Sequence, residues 1–208
     1  MNLETEKYIK QKTIWPQEGQ CVLAQYDEKT IIVYQAYRPS IGNAAVKNQS
    51  FGEGGFSFSR MSWIKTNFLW MMYRSGWGTK DGQEVILAIR LKRDFFDEIL
   101  LNAFPSSNKN RLAKDEWDKI ISGSDVRLQW DPDHAPNGDK EERRAVQLGL
   151  RNGFLKPFEG DGILEITDIS EFVNGQRKIL EEGLLEELIT PKERVYPVST
   201  EQMKALRM

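Results

Sequence analysis

The chain has 208 residues, of which 39% are hydrophobic and 29% charged, and its net charge is −2. This length suits one domain that buries its own core, and no apolar run reaches the roughly 18 residues of a membrane span. The single cysteine excludes an internal disulfide and a Cys-cluster metal site, and the single histidine argues against zinc. The N-terminal residues carry acids and no apolar core, so we expect no signal peptide and a cytoplasmic protein.

The first half of the chain predicts a strand, a helix and a loop in succession. Thr30–Tyr37 is rich in β-branched and aromatic residues, as strands are. Pro39 is suited to open a helix that continues through Ser40–Asn48. The glycine-rich segment 52–55 is not followed by the Gly-Lys-Ser/Thr of a phosphate-binding loop, so it predicts a turn or a mobile lid.

The next segment, Met61–Ser75, predicts a helix that ends at Gly76. At helical spacing its apolar side chains form one face, and Trp63, Asn67, Trp70 and Arg74 fall on the other. A helix with large side chains on both faces should lie between two partners. One partner is the core, and the other is either a second structural layer or a ligand.

The second half of the chain supplies the other predicted elements. Its apolar or alternating segments predict strands at 84–91 (central in its sheet), 126–130, 145–150 and 163–167. One helix is predicted at 94–103, and a second, short helix contains Trp117. A third begins at a capping box at Asp168 and runs to about Ile189, where Pro191 ends it. The prediction is one α+β domain over residues 1–190, with a mixed sheet of about five strands flanked by helices, and a polar tail over 191–208.

Charge is unevenly distributed along the sequence. Residues 34–80 contain six cations and one acid, so this segment carries +5 and the remainder −7. A basic patch on an otherwise acidic protein indicates an anionic ligand, unless the cations are solvated or paired with acids elsewhere.

Aromatic rings accompany these cations, and the best constellation is formed by Tyr73, Arg74, Trp77 and Lys80. An indole offers a stacking face and a lysine a charge for phosphate, the combination that holds nucleotides or single-stranded nucleic acid. We therefore predict a ligand-binding set of Tyr37, Arg38, Arg60, Trp63, Lys65, Trp70, Arg74, Trp77 and Lys80. The alternative role for Arg38 is a structural ion pair with an acidic residue.

Hydrolytic and metal-dependent chemistry find little support in the sequence. Ser57, Ser59 and Ser62 lack a nearby base, and no Gly-x-Ser-x-Gly elbow is present. His134 lies in an acidic, turn-rich stretch and is predicted to be an exposed loop residue. The aspartates of residues 131–139 match no calcium loop, so we expect them to be solvated and predict no metal site.

Long motifs resemble an uncharacterised bacterial and fungal family of domains of unknown function. The resemblance covers roughly residues 18–185 and brings no established activity. The segments that carry it are Tyr34–Pro39, Phe58–Lys65, Phe68–Lys80, Val126–Pro132 and Ala145–Leu150.

In the order of its elements the chain is also similar to ADP-ribosyltransferase-like domains. That likeness implies NAD as substrate or cofactor, with Gln35 or Arg38 in the first catalytic role and Tyr73 or Ser62 in the middle one. Glu165 would then stabilise the developing oxocarbenium ion. The catalytic set it implies is Gln35, Tyr73 and Glu165, although Gln35 stands where many members have His.

Two functions are therefore predicted for the same cleft. One is an enzyme that binds a nucleotide such as NAD. The other is a non-catalytic module that holds RNA or DNA. A domain that only binds proteins, with all its rings in the core, is a third alternative.

Overall fold

The computed structural model describes residues 3–107 and 113–208, and its architecture is α+β, as predicted. Within those ranges one mixed sheet has eight strands, more than the five or so expected. They are β2 (Gly19–Gln20), β4 (Thr30–Tyr37), β5 (Ser62–Lys65), β6 (Val85–Lys92), β7 (Ala103–Pro105), β8 (Val126–His134), β9 (Lys140–Leu150) and β10 (Ile163–Asp168). Two short ladders pair β1 (Thr5–Lys7) with β11 (Ile189–Pro191) and β3 (Leu23–Ala24) with β12 (Arg194–Val195).

The strands follow the order β10-β6-β4-β5-β9-β8-β7, and β2 adds to β9. Most neighbours are antiparallel, whereas β7 with β8 and β2 with β9 are parallel. The predicted strands at residues 30–37 and 84–91 are confirmed as β4 and β6. β6 lies between β10 and β4, and its residues 85–89 are buried, so it is central as expected.

Helices cover both faces of the sheet. They are α1 (Tyr8–Lys12), α2 (Pro39–Asn48), α3 (Phe68–Ser75), α4 (Arg93–Leu101), α5 (Lys114–Gly123), α6 (Asn152–Leu155), α7 (Ser170–Glu181) and α8 (Thr200–Leu206), with a 3-10 turn at Lys156–Glu159. Alternate residues of β4 point into two separate cores: Ile31 and Val33 into one, Ile32 and Tyr34 into the other. The first core contacts α2, α4 and α8, and the second contacts α1, α3 and α7. A strand that is apolar on both faces is expected in such a three-layer arrangement.

The predicted helix over Met61–Ser75 is wrong in its first half. Ser62–Lys65 forms β5, which pairs with β9 along its whole length and with β4 at one position. Helix α3 begins only after Asn67, whose side-chain oxygen accepts the Trp70 N–H at 2.7 Å. This cap starts a new element. The predicted end is confirmed, since Gly76 closes α3 in the left-handed conformation with φ 59°.

The helix predicted to run to about Ile189 is shorter in the structure. Helix α7 starts at Ser170 and ends at Glu181, so Pro191 does not terminate it. Residues 191–208 pack onto the domain: Tyr196 and Leu206 are buried, and the Trp130 indole N–H donates to the Leu206 carbonyl at 2.8 Å. The predicted acidic loop is shorter than expected, because β8 continues to His134 and β9 begins at Lys140.

Candidate functional site

A cavity of about 720 Å³ opens where β4 and β5 separate. The ladder of β4 with β6 runs from Thr30 to Tyr37, whereas the ladder with β5 contains only the pair Tyr34 and Lys65. Beyond that pair the end of β4 and the start of β5 both line the cavity. The lining is Gln35–Arg38, Ile41, Gly55–Ser57, Arg60–Trp63, Lys65, Met71, Arg74, Gly82, Gln83, Gln129 and Gln147.

Four cations line this cavity, and each comes from a different element. Arg38 precedes α2, Arg60 lies in the loop before β5, Lys65 ends β5, and Arg74 is in the last turn of α3. Within the described part of the chain no Asp or Glu lines the cavity, and none of the four cations forms an ion pair. The lining itself therefore has an excess of positive charge, although the Asp131 carboxylate behind it acts on Lys65.

Lys65 is the unusual member of this group because it is buried. Its side chain is 5% exposed, and among the described residues no hydrogen bond reaches its ammonium. Burial, helped by the nearby Arg74 charge and opposed by Asp131, lowers the pKa of Lys65 from 10.5 to about 8. Desolvation disfavours the charged form of an amine, which explains the direction.

A chain of neutral polar groups forms the opposite part of the wall. The Gln35 amide donates to the Ser62 hydroxyl at 2.7 Å, and the Tyr37 and Ser62 hydroxyls are 2.8 Å apart. The amide oxygen of Gln35 is buried and has no partner among the described residues. Burial raises the pKa of Tyr37 to about 12, so its phenol stays protonated and can donate a hydrogen bond.

Two glutamines that the sequence analysis missed complete the lining beside Lys65. Lys65 pairs with Gln147 across β5 and β9, and Gln147 pairs with Gln129 across β9 and β8, so the three share one row of the sheet. The two amides donate to the Asp131 carboxylate at 2.7 and 3.0 Å. A polar residue within an otherwise apolar strand was the available signal, but the register that aligns these strands is long-range.

The glycine loop, predicted as a turn or mobile lid, packs against the start of α2. The Ser40 hydroxyl donates to the Gly54 carbonyl at 2.9 Å, and Gly55 has φ +93°. A Cβ at Gly55 would collide with the Arg38 guanidinium. The absence of a side chain there allows Arg38 to reach over the loop into the cavity.

Residues 21–196 of the chain match the model of a protein family described as domain of unknown function (DUF4291). The chain belongs to this family. A search of curated proteins finds no match. The DUF4291 match spans every residue that lines the cavity. No helix in residues 3–107 or 113–208 is long and apolar enough to cross a membrane.

The structure brings together six of the predicted ligand-binding residues and places three elsewhere. Tyr37, Arg38, Arg60, Trp63, Lys65 and Arg74 line the cavity. Trp70 stacks on Tyr73 and His134 on another side of α3, with its ring centroid 5.4 Å from each. Trp77 belongs to the second core and donates its indole N–H to the Pro136 carbonyl at 3.1 Å.

Lys80, the third residue outside the cavity, binds the C-terminal end of α3. Its ammonium donates to the carbonyls of Tyr73 and Arg74 at 3.3 and 2.7 Å, so it satisfies the open carbonyls at the end of α3. His134, predicted as exposed, is 2% exposed because it is covered by the Tyr73 and Trp70 rings. Burial, with the nearby Lys140 charge, lowers the pKa of His134.

The predicted catalytic set is not assembled. Gln35 lines the cavity, but Tyr73 is 42% exposed on the far side of α3, and neither Tyr73 nor Glu165 is among the lining residues. Glu165 lies on β10, opposite Arg90 of β6, so the whole of β6 separates it from β4. The sequence order of these three residues did not reveal this strand order.

A second polar interior lies near the other end of α3. Asp133 and Arg143 form an ion pair of 2.6 Å with side chains 1% and 0% exposed, and the Arg143 guanidinium lies 5.3 Å from the centre of the Trp15 ring. The Glu193 carboxylate accepts the Phe68 N–H at 2.7 Å. Burial raises the pKa of Asp133 and of Glu193. Asp133 was expected to be solvated, but it is the counter-charge of a buried arginine.

Proposed function

We propose that this protein binds a nucleotide or another phosphate-bearing small molecule in the cavity between β4 and β5. The observation that carries the proposal is the set of four cations with no acid in the lining and no ion pair among the described residues. Arginine forks match the geometry of phosphate oxygens, and cations held in a concave site concentrate an anionic ligand.

The rest of the lining supports the non-phosphate part of such a ligand. A volume of about 720 Å³ is within the range of small-molecule sites. The rings of Tyr37, Phe56 and Trp63 line the cavity and supply apolar surface for a base. The buried, unpartnered oxygen of Gln35 is suited to accept a hydrogen bond from a sugar hydroxyl, since an unsatisfied buried acceptor is costly.

NAD is the candidate that the likeness to ADP-ribosyltransferases suggests, and the cavity holds groups that fit its pyrophosphate and a ribose. An ADP-ribosyl transfer at this site would have to rely on Gln35 and its neighbours Ser62 and Tyr37. Tyr73 and Glu165 receive no role in the proposal because they lie outside the lining. Binding is therefore the primary claim, and transfer from NAD is a narrower proposal within it.

A thermal-shift screen tests the binding. NAD, ADP and AMP should stabilise the wild type, by about 2.7 kcal/mol at a ligand concentration a hundred times Kd, whereas adenosine should have much less effect. Arg74→Ala should reduce the shift, while Lys47→Ala, an exposed lysine outside the cavity, should leave it unchanged. Equal shifts with adenosine and ADP, or no shift with any phosphate compound, would contradict the proposal.

Nucleic acid is the second candidate ligand, because Arg38, Arg60 and Arg74 are exposed at the cavity mouth. Binding of single-stranded RNA or DNA across several phosphates would weaken steeply with salt, with a slope of about −0.7 per phosphate neutralised. A mononucleotide in the cavity should show a much weaker salt dependence. The two slopes, measured with a short oligonucleotide and with ADP, decide between the candidates.

A further inference from the structure

We propose that Lys65 is a nucleophile that forms an imine with an aldehyde or ketone group of a phosphate-bearing ligand. The inference rests on the proposed function, since the cationic lining would bring such a ligand to Lys65. It assigns the lysine a chemical role beyond that of a fourth positive charge.

The placement of Lys65 is the first argument. It ends β5, between Tyr34 of β4 and Gln147 of β9, so strands on both sides fix its backbone. Its side chain is 5% exposed and lines the cavity, and no described residue gives its amine a hydrogen bond or an ion pair. Because the side chain lines the cavity, a ligand bound there can reach the amine without displacing a protein partner.

The charges around Lys65 are the second argument. Arg74 on α3 disfavours the protonated amine, and the Asp131 carboxylate on β8, which two glutamine amides hold in place, favours it to a smaller extent. Burial is the largest effect, and the pKa of Lys65 falls to about 8. A substantial fraction of the amine is therefore neutral at neutral to slightly alkaline pH. Desolvation and a neighbouring cation are the two conditions that activate lysine nucleophiles.

The four cations thus divide into two kinds. Arg38, Arg60 and Arg74 carry planar guanidinium groups whose donors match phosphate oxygens. Among the described lining residues Lys65 is the amine, and its pKa of about 8 allows it to lose a proton near neutral pH. The arginines would hold the phosphate, and the lysine would be left to react with a carbonyl group on the same ligand.

The step balances without oxidation or reduction. The lone pair of Nζ attacks the carbonyl carbon, the C–O π electrons move to oxygen, and proton transfer gives a carbinolamine. The carbinolamine hydroxyl takes a proton from solvent and leaves as water while the nitrogen lone pair forms the C=N bond, and the second Nζ proton returns to solvent. One water molecule is released for each imine formed.

Borohydride trapping tests the proposal with pyridoxal 5′-phosphate, an aldehyde that carries a phosphate. The wild-type protein is incubated with the probe at pH 7.5, reduced with sodium borohydride and mapped by peptide mass spectrometry. Lys65 should be labelled at least about tenfold faster than exposed lysines such as Lys47, because far more of its amine is neutral. Inorganic phosphate should slow the labelling, and pyridoxal without phosphate should react more slowly.

Parallel thermal shifts with ADP distinguish the ways in which the proposal can fail. If ADP stabilises the protein but Lys65 is labelled no faster than Lys47, the imine is refuted and the binding proposal stands. If no phosphate compound stabilises the protein and labelling is uniform, both are refuted. Lys65→Arg, which keeps the charge, should abolish the labelled peptide, whereas Lys47→Arg should not change labelling at Lys65. The wild-type map decides the question even if Lys65→Arg does not fold.

Discussion

Lys65 and Arg143 are both buried cations, and their surroundings are opposite. Arg143 contacts the carboxylate of Asp133 at 2.6 Å and lies over the Trp15 ring. Lys65 has glutamine amides and another cation nearby, and the nearest acid that influences it, Asp131, is bound by those amides. Arg143 therefore has a carboxylate in direct contact, whereas Lys65 has no ion pair among the described residues and is influenced by Asp131 only from a greater distance.

This difference separates a structural charge from one that is open to a ligand. Burying an ion costs several kcal/mol unless a partner compensates it. For Arg143 the protein supplies the partner. For Lys65 no ion pair among the described residues offsets the free-energy cost of burial. Such a loss of stability is expected at a binding or reactive site.

Removing the paired cation should have the largest effect. Arg143→Met leaves Asp133 buried without its counter-charge, so we expect a loss of about 3–5 kcal/mol in the free energy of unfolding. Urea unfolding measures it, with the exposed neighbour Arg144→Met as control. If the two variants were equally stable, Arg143 would not be a structural charge.

Removing the unpaired cation should have the opposite sign. Lys65→Met should stabilise the protein at pH 7 by about 3 kcal/mol, because the folded-state pKa of Lys65 is about 8 against an ordinary 10.5. Between pH 8 and 10.5 the unfolded wild type binds more protons than the folded one, so wild-type stability rises with pH there. The advantage of Lys65→Met should therefore fade across that window.

Urea unfolding of both proteins from pH 7 to 10.5 measures this gap, and Lys47→Met controls for the loss of an exposed lysine. A Lys65→Met variant that is less stable than the wild type at pH 7 would show that the ammonium is well satisfied in the fold.

Glu193 provides a smaller test within the second polar interior. Burial raises its pKa, so the folded state holds its proton more tightly, and its contribution to stability falls as the pH rises above the unfolded value of about 4.3. Glu193→Gln keeps an oxygen for the Phe68 N–H and removes this loss.

We expect Glu193→Gln to be more stable than the wild type by about 1 kcal/mol or more at pH 7, and the gap to close by about pH 4. Unfolding curves at both pH values provide the check. A gap that is equal at the two pH values would exclude titration of Glu193 as its source.

The smallest effect concerns the position of Arg38. Gly55→Ala and Gly19→Ala both put alanine at positive φ, of +93° and +80°, so each should cost about 1 kcal/mol of stability. Only Gly55→Ala introduces a methyl group that collides with Arg38, because nothing lies near Gly19. Titration calorimetry with ADP should show weaker binding for Gly55→Ala than for Gly19→Ala. Equal affinities of the two variants for ADP would show that Arg38 is not part of the binding site.

The sequence predicted best where local pattern and tertiary structure agree. Thr30–Tyr37 and the helix after Pro39 follow from residue type and spacing, and the structure has both. Trp63, Asn67, Trp70 and Arg74 fit a helical period equally well, but β5 is a strand because β9 pairs along its whole length. The spacing of residues within one segment does not show which distant segment it pairs with.

The candidate site shows the same limit. The excess of cations over residues 34–80 indicated a basic surface, and Arg38, Arg60, Lys65 and Arg74 do line one cavity. Lys80 and Trp77 were indistinguishable from them in sequence, yet one satisfies the end of α3 and the other packs in the core. Gln129 and Gln147 were missed because only the sheet register places them beside Lys65.

The most direct test of the account is the pKa of Lys65 itself. A pH titration of the wild type with 13C-labelled lysine, followed by NMR at the side-chain Cε and assigned by Lys65→Arg, reports the protonation of that amine. We expect a midpoint near pH 8, well below the ordinary lysine value of 10.5. A midpoint above pH 10 would mean that Lys65 has a solvent or carboxylate partner, and it would contradict the contrast between Lys65 and Arg143.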